Sequence, residues 1–466
     1  MTNRSIPTRN TQALLARRST FVAVSLLASL VAAMANAGTT FPPPPPPGLN
    51  VTQLTMYDAI IATCPLNGNE EEFKDRCDAV VGAAASSDPA QATDALQSTA
   101  PEQAVSQGTQ AARVAAGRGN EGAVVSNRLA MIRAGAMAAI QIDFGGERVY
   151  ANRMGDLRAV PGEDARDSAS GLGAADSATS SGRLGVYLNG AYHFGDVDST
   201  TLVRGFDYDN GGVTVGADYR VLDTLVLGGA FTWWRTDAEF SGNAGSTDSD
   251  RYTGTIYGSF FPIDGLYFDV LGSYGGINYD TKRHISYSIP GDVVNTTAKG
   301  SPDGRQWAVN GGLGYDFDVA GLSFGPYAQA TYRRLHVDGY DESDPAGWAV
   351  RFGSQTVESL TTTLGGRIAY PISTDFAVFT PQLRGAWWHE FEDDARLIAS
   401  SFVGAVNPQT FGVFTDKPDR DYGNIGVSLS ATLPQGFSAF ADYDVLLGYK
   451  GVTSNRFTFG VRAEFF

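Results

Sequence analysis

Three short motifs in this sequence could support chemistry. The first is Gly321-Leu322-Ser323-Phe324-Gly325, which matches the G-x-S-x-G pattern of hydrolases that use a serine nucleophile. Such a serine must lie between a strand and a helix, whereas Ser323 here opens a predicted strand after a tight turn. Because the chain contains 55 glycines, a chance match explains the motif better than a catalytic site does.

The other two motifs concern metal binding and acid–base chemistry. Residues 207 to 212 read Asp-Tyr-Asp-Asn-Gly-Gly, and Asp218 is the twelfth residue of that stretch, as in a calcium-binding loop. Gly211 removes the ligand at the fifth position, so a loop ending in Asn-Gly is the plainer interpretation. His389 beside Glu390 falls at the end of a predicted strand. We therefore predict no catalytic residue, no cofactor and no metal.

Composition and charge indicate the class of protein. The chain has 466 residues, an aromatic content of 11% and a net charge of -16, with a pI near 4.7 and a mean hydropathy of -0.14. The negative charge excludes nucleic acid as a natural partner and is typical of solvated loops. The many glycines and aromatics favour numerous half-polar strands over a dry globular core.

The N-terminus predicts export. Arginines precede an apolar run from Phe21 to Met34, and Ala35-Asn36-Ala37 supplies a small-x-small cleavage pattern after Ala37. The alternative is a membrane anchor, but a run of about 14 residues is short for a spanning helix. Export leads to an oxidising compartment. We therefore expect the chain's two cysteines, Cys64 and Cys77, to form a disulfide.

The next part of the chain divides by composition. Six prolines, residues 42 to 47, form a stiff spacer. Helical periodicity then runs from residue 50 to about 139 and predicts four helices, of which the third covers 98–116 and the fourth 124–139. A unit of this size is too small to bury much core. Residues 155–182 lose all periodicity and indicate a flexible connector.

From residue 183 the hydrophobic period changes to two, which predicts strands. Counting alternating runs gives twelve strands: 183–194, 211–220, 225–237, 251–261, 266–279, 305–317, 322–335, 358–370, 376–389, 421–433, 437–449 and 455–466. Their lengths suit tilted strands that cross a membrane. Aromatic residues cluster near the run ends, where an interfacial girdle needs them; we assign Trp233, Trp387 and Trp388 to this girdle.

Connection length alternates along these runs. Short connections lie at 221–224, 262–265, 319–321, 371–375 and 434–436, and longer polar ones at about 195–210, 238–250, 281–303, 336–357 and 391–420. This asymmetry is typical of outer-membrane barrels, with short periplasmic turns and long extracellular loops. Segment 397–414 is apolar enough for a thirteenth strand, but an odd count would leave the C-terminus outside, so we assign it to a loop.

The fold class is thus an all-β membrane fold, a twelve-stranded antiparallel transmembrane barrel preceded by a small helical region. Lipid requires that the first and last strands pair, because unpaired backbone groups are costly there. Polar residues on the inward face should line a wet or plugged lumen, and these are Asn189, Thr253, Thr255, Asp269, Gln306, Asn310, Asp316 and Arg367.

The order of signal peptide, short N-terminal segment, linker and barrel resembles a type Va autotransporter over nearly the whole chain. The resemblance rests on residues 181–190 opening the barrel, on 383–391 in the ninth strand, and on the terminal Phe465 and Phe466 as an assembly signal. Cys64-Pro65 to Arg76-Cys77, followed by residues 125–129, resembles a helical module found ahead of such barrels.

The resemblance implies a monomer in outer-membrane lipid that is exported by the Sec pathway and inserted by the barrel-assembly machinery. It also implies these domains: signal peptide 1–37, Pro-rich spacer 38–49, helical passenger 50–123, linker 124–182 partly in the lumen, and barrel 183–466. The N-terminal segment should lie at the cell surface. The passenger is short and lacks the β-helical repeats common in the family, and Phe466 falls on the parity of Arg462 and Glu464.

Two functions remain open. The first is export and anchoring of the chain's own helical segment. The second is a pore or envelope-structural barrel with a periplasmic helical unit. An enzyme is not expected, because all four histidines lie in the barrel region and the Gly-Asp-Ser-Leu block of lipolytic autotransporters is absent from the sequence.

Overall fold

The computed structural model describes residues 45–66, 68–86, 90–102, 183–433 and 436–465, together with the backbone of three short strands between residues 141 and 160. The predicted cleavage site at Ala37, the predicted fourth helix at 124–139 and Phe466 lie outside these residues.

Residues 184–465 form the barrel. Its strands are β1 (Leu184–Val197), β2 (Phe206–Leu222), β3 (Leu225–Phe240), β4 (Gly245–Ile263), β5 (Leu266–Ile289), β6 (Asp303–Tyr315), β7 (Leu322–Val337), β8 (Gln355–Ala369), β9 (Val378–Glu390), β10 (Asp421–Thr432), β11 (Phe437–Leu447) and β12 (Val452–Phe465). Each pairs with the next in antiparallel fashion, and β12 pairs with β1 from Val452 opposite Val197 to Phe465 opposite Leu184. The predicted twelve-stranded barrel is confirmed. Closure satisfies every strand edge, as lipid requires.

Successive side chains point alternately out of and into the barrel. Leu188 is 50% exposed and Phe459 59%, whereas their neighbours Tyr187 and Thr458 are 2% and 1% exposed. The outward face is an apolar belt and the inward face is polar. The residues predicted to line the lumen are buried or half-buried on the inner side.

The strands extend further than predicted at one end of the barrel. β5 has 24 residues and is therefore about 80 Å long at ~3.3 Å per residue, well beyond a hydrocarbon layer of ~30 Å. The predicted loop at 238–250 is instead the ends of β3 and β4 around a tight turn, and that at 281–303 is a hairpin in which β5 pairs with Asp292–Gly300. Polar side chains do not oppose pairing outside the lipid, because they can face water there.

Two of the three remaining long connections, 336–357 and 391–420, form a second sheet outside the barrel. It has four short strands, Tyr340–Asp341, Val350–Phe352, Leu397–Phe402 and Phe411–Phe414, paired in that order. Segment 397–414 is thus a hairpin within a loop and not a thirteenth barrel strand. Its predicted assignment to a loop is confirmed.

The described residues ahead of the barrel include three helices: α1 (Val51–Thr63), α2 (Glu71–Ala84) and α3 (Ala90–Thr99). α1 begins with a capping box, in which the Asn50 side chain accepts from the Gln53 N–H and the Gln53 side chain accepts from the Asn50 N–H. α3 was not predicted, and most of the predicted third helix at 98–116 lies outside the described residues.

The linker also differs from the prediction. Gln141–Phe144, Glu147–Ala151 and Leu157–Val160 form an antiparallel three-stranded sheet. Its third strand falls in the stretch 155–182 that was predicted to be a flexible connector. No helix among the described residues has the length and apolar character needed to cross a membrane.

Candidate functional site at the long-hairpin end of the barrel

The two ends of the barrel differ in their connections. One end carries tight turns, such as residues 223–224 between β2 and β3 and residues 264–265 between β4 and β5. The other carries the long hairpins and the four-stranded sheet. β1 begins at the tight-turn end, where the Arg183 carbonyl accepts from the Arg220 N–H at 2.8 Å. The three helices lie at the opposite, long-hairpin end.

The helices and the hairpins share one apolar core. Phe73 of α2 lies between two aromatic rings from the hairpins, with centroid distances of 5.9 Å to Trp348 and 5.0 Å to Phe402. Other members of this buried cluster come from both sides: Met56, Ile60, Val80 and Leu96 from the helices, and Ile285, Tyr287, Val294, Val350 and Val413 from the hairpins. About half of the buried residues in the core that positions the helices therefore belong to the barrel's hairpins.

A buried arginine joins the helices to the hairpins. Arg283 of β5 donates to Glu342 Oε1 at 3.0 Å and to the Trp348 carbonyl at 2.8 Å. Its Nη1 also donates to the Thr99 carbonyl at 2.9 Å, at the end of α3. Burial alone would lower the pKa of Arg283, but the attraction and hydrogen bonds of Glu342 raise it above its ordinary value. The guanidinium therefore stays charged inside the interface.

Further polar contacts cross the same interface. Arg204 Nε lies 3.2 Å from Glu102 Oε2, and the Ser286 N–H donates to Ser98 Oγ at 2.7 Å. Arg76 of α2 forms an ion pair with Asp292 in the hairpin that follows β5. The helices are thus attached by charge pairs as well as by apolar packing.

A disulfide joins Cys64, just after α1, to Cys77 in α2, with a Cα–Cα distance of 5.6 Å. Both residues are buried, at 2% and 0% exposure. The sequence singled out this pair, and the structure places it inside the shared core.

The lumen wall carries a second charged cluster. Arg384 of β9 donates to Asp442 at 2.5 Å and to Asp444 at 2.6 Å, both on β11. Asp444 also pairs with Arg456 of β12. This network connects strands near the seam where the barrel closes.

The three chemical motifs are not brought together into a site. Ser323 pairs with Ala369 within a strand ladder, not at a strand–helix junction. Asp207 to Gly212 lies inside the continuous strand β2, so the loop predicted there is wrong. His389 and Glu390 point to opposite faces, with His389 bonded to Asp421 and Glu390 to the N–H of Leu360. Within the described part of the chain, no group of acidic, histidine or cysteine side chains could hold a metal ion.

The assignment of Trp388 to the aromatic girdle is wrong. Trp233 and Trp387 face outward, at 38% and 45% exposure, as does Phe465 at 48%. Trp388 is only 5% exposed and stacks on Tyr422 inside the barrel, with a centroid distance of 5.9 Å. Adjacent strand residues point to opposite faces, so Trp387 and Trp388 cannot both meet lipid.

Sequence reasoning missed the residues that hold the helices, namely Arg283, Glu342 and Trp348. A signal was present in the sequence, because Trp348 is a large apolar residue within a long polar connection. Such a residue needs burial against another element, but the sequence does not say which.

A closed barrel with an apolar outer belt and unequal connections defines an outer-membrane β-barrel protein. A family model described as the autotransporter beta-domain matches residues 186–444. Because this match covers more than half of the chain, the chain belongs to the autotransporter beta-domain family. The matched domain is a translocator barrel and not an enzyme domain.

The chain is also similar to two curated relatives and to one solved structure. The chain is 26% identical over 259 residues to Lipase 1 of Photorhabdus luminescens, which covers 54% of this chain and 38% of that relative. It is 26% identical over 255 residues to Esterase EstA of Pseudomonas aeruginosa, with 53% and 38% covered. The chain thus spans little more than a third of these relatives' length. The translocator domain of autotransporter NalP from Neisseria meningitidis gives a TM-score of 0.49 at 16% identity, covering 62% of this chain and 90% of that one.

Proposed function

We propose that this protein carries its own N-terminal segment across the outer membrane and keeps it anchored at the cell surface, which is type V secretion. One observation carries the proposal. Glu102 forms an ion pair with Arg204 at the long-hairpin end of the barrel, whereas the Arg183 carbonyl accepts a hydrogen bond from the Arg220 N–H at the tight-turn end. The linker between Glu102 and Arg183 therefore has to join opposite ends of a barrel that lies in a membrane.

The lumen offers the linker its path. A chain that crossed through lipid outside the barrel would leave backbone N–H and C=O groups unsatisfied, at several kcal/mol each. Twelve strands enclose a space too wide for side chains alone to fill. Part of the linker, residues 124–182, would occupy that space, and polar positions such as Asn189 and Thr253 line it.

The long hairpins indicate which end faces outward. Outer-membrane barrels have short periplasmic turns and longer extracellular loops. Since α1 to α3 pack on the long hairpins, we place them outside the cell. The alternative, a pore with a periplasmic helical unit, requires the helices at the tight-turn end, so the packing favours export.

We further propose that the exported segment is a small surface module and not a hydrolase. Residues 38–123 contain no histidine to act as a base for a serine. The names lipase and esterase belong to relatives of which this chain matches 38%. The proposed partners are outer-membrane lipid, the Sec pathway and the barrel-assembly machinery, and the protein acts as a monomer.

Surface labelling of an epitope tag tests the export proposal. A tag inserted after the exposed Ser86, which follows α2, should bind antibody on intact cells. The matched control is the same tag between Asp223 and Thr224, in a tight turn, which should bind antibody only after the outer membrane is permeabilised. Labelling of the Ser86 tag only after permeabilisation would contradict export of the helices.

A further inference from the structure

We propose that the surface hairpins of the barrel are the folding template of helices α1 to α3, which acquire their structure only once they reach the hairpins. This inference rests on the proposed export function. We call residues 283–298, 342–352 and 398–413 the loop platform. Its apolar side chains and those of the helices form a single buried cluster.

The centre of α2 is covered by the platform. Phe73 is 0% exposed, and Trp348 and Phe402 enclose its ring. The platform backbone approaches equally closely: a Cβ at Gly347 would lie 2.8 Å from the Phe73 nitrogen, and one at Gly404 would lie 2.9 Å from the Phe73 Cβ. Without the platform, Phe73, the largest buried side chain of α2, would lose these four neighbours and face water.

The helices are short for independent folding. They contain 13, 14 and 10 residues, and isolated helices below about 12–15 residues are marginal in water. A unit of this size buries too little apolar surface to offset its chain entropy without an added constraint. The Cys64–Cys77 disulfide restricts the unfolded chain, but it supplies no apolar contact area.

The platform does not depend on the helices in the same way. The hairpin of β5 and Asp292–Gly300 continues a barrel strand, with nine consecutive residue pairs from Thr281 to Ile289. The four-stranded sheet pairs its own backbone through Val350–Phe352 and Leu397–Phe402. These hydrogen bonds form within the platform and the barrel, so the barrel can build the platform before the helices arrive.

The platform also presents polar groups suited to a helix end. The last carbonyls of a helix lack intrahelical partners and carry partial negative charge. Arg283, held by Glu342 and the Trp348 carbonyl, donates to the Thr99 carbonyl at the end of α3. The Ser286 N–H meets Ser98 Oγ in the same turn. A cation and a donor fixed by the platform thus stabilise α3 where it ends.

Accessibility of the buried disulfide tests the template. In intact cells that carry the full chain, a membrane-impermeant phosphine should reduce Cys64–Cys77 slowly in the wild type. Trp348→Ala removes the platform ring over Phe73, and reduction should accelerate by at least about tenfold. Truncation of a buried tryptophan usually lowers stability by more than the free energy of a tenfold change in an equilibrium constant. The matched control is Phe391→Ala, an exposed aromatic outside the platform, which should reduce at the wild-type rate.

Heat-modifiable migration of the barrel on gels shows whether each variant still assembles. If Trp348→Ala does not assemble, Phe402→Leu provides a milder second variant. Wild-type reduction rates in an assembled platform variant would overturn the template, because the helices would then hold their own fold. Failure of the export proposal is distinct: the Ser86 tag would stay hidden on intact wild-type cells, whatever the reduction rates.

Discussion

Arg283 and Glu342 form an ion pair that is almost completely buried, with side chains 2% and 4% exposed. Both lie in the barrel's surface hairpins, and the arginine also holds the end of α3. Removing one partner of a buried pair leaves an uncompensated charge, which typically costs about 3–5 kcal/mol.

Arg283→Met should therefore lower the free energy of unfolding of the helices by that amount. Limited proteolysis of residues 45–102 across a urea series would measure this loss. The double variant Arg283→Met/Glu342→Leu should lose less, because no lone carboxylate remains buried. Equal losses in the two variants would contradict an electrostatic role for the pair.

Alkaline pH should also release the helices. Burial raises the pKa of Tyr287 to about 12, and its hydroxyl donates to Asp292 and accepts from Trp348 Nε1, both at 2.9 Å. A raised tyrosine pKa gives stability that is complete below the ordinary value near 10 and is lost as pH rises through 12. The difference in ultraviolet titration between wild type and Tyr287→Phe should isolate a tyrosine ionising near pH 12. A difference curve centred near pH 10 would contradict this prediction.

Within the lumen wall, Arg384 should contribute more to stability than a surface arginine does. Arg384→Met leaves Asp442 and Asp444 without their shared partner and should destabilise the barrel by on the order of 3–5 kcal/mol. The measurement is the temperature at which heat-modifiable migration is lost. Arg351→Met is the control, because its pair with Asp341 is half exposed and should have little effect. Similar shifts in that temperature for both variants would show that the buried cluster stabilises the barrel no more than a surface ion pair does.

Depth-dependent fluorescence quenching should separate two adjacent tryptophans. Trp387 faces the lipid and Trp388 faces the lumen. In liposomes, brominated lipids quench the fluorescence of tryptophans that face the lipid. The Trp388→Phe variant, which keeps Trp387, should therefore retain most of the quenching due to this pair, and the Trp387→Phe variant should lose it. The reverse result would mean that the register of β9 differs by one residue.

Channel recordings should show whether the linker fills the lumen. The full chain in planar bilayers should conduct less than a shortened chain that starts at Gly182, because part of residues 124–182 occupies the pore on the proposed path. Equal conductance of the two proteins would argue against a lumenal linker while leaving the barrel itself intact.

Much of the barrel follows from local patterns. Alternation along segments such as 183–194 and 455–466 indicates strands with one apolar face, and lipid then requires closure because no strand edge can remain unpaired. Short turns such as 262–265 set the antiparallel order. These are properties of neighbouring residues, so the sequence was sufficient for the strand number and the family resemblance.

Strand length and facing depended on the neighbours across the sheet. Nothing local distinguishes a polar loop at 281–303 from a polar hairpin, because pairing outside the membrane depends on the partner strand. The assignment of Trp388 to the lipid face failed for a related reason: a run of two tryptophans signals an interface, but only one can face it.

The sequence by itself determined that this chain closes a twelve-stranded barrel in a membrane, since period-two hydrophobicity and backbone pairing leave few alternatives. Only the tertiary structure decided where the helices go. Phe73, Trp348 and Phe402 lie far apart along the chain, and their contact arises because the barrel brings distant hairpins to one end. A core divided between two such regions has no local signature, so it becomes visible only when both are folded.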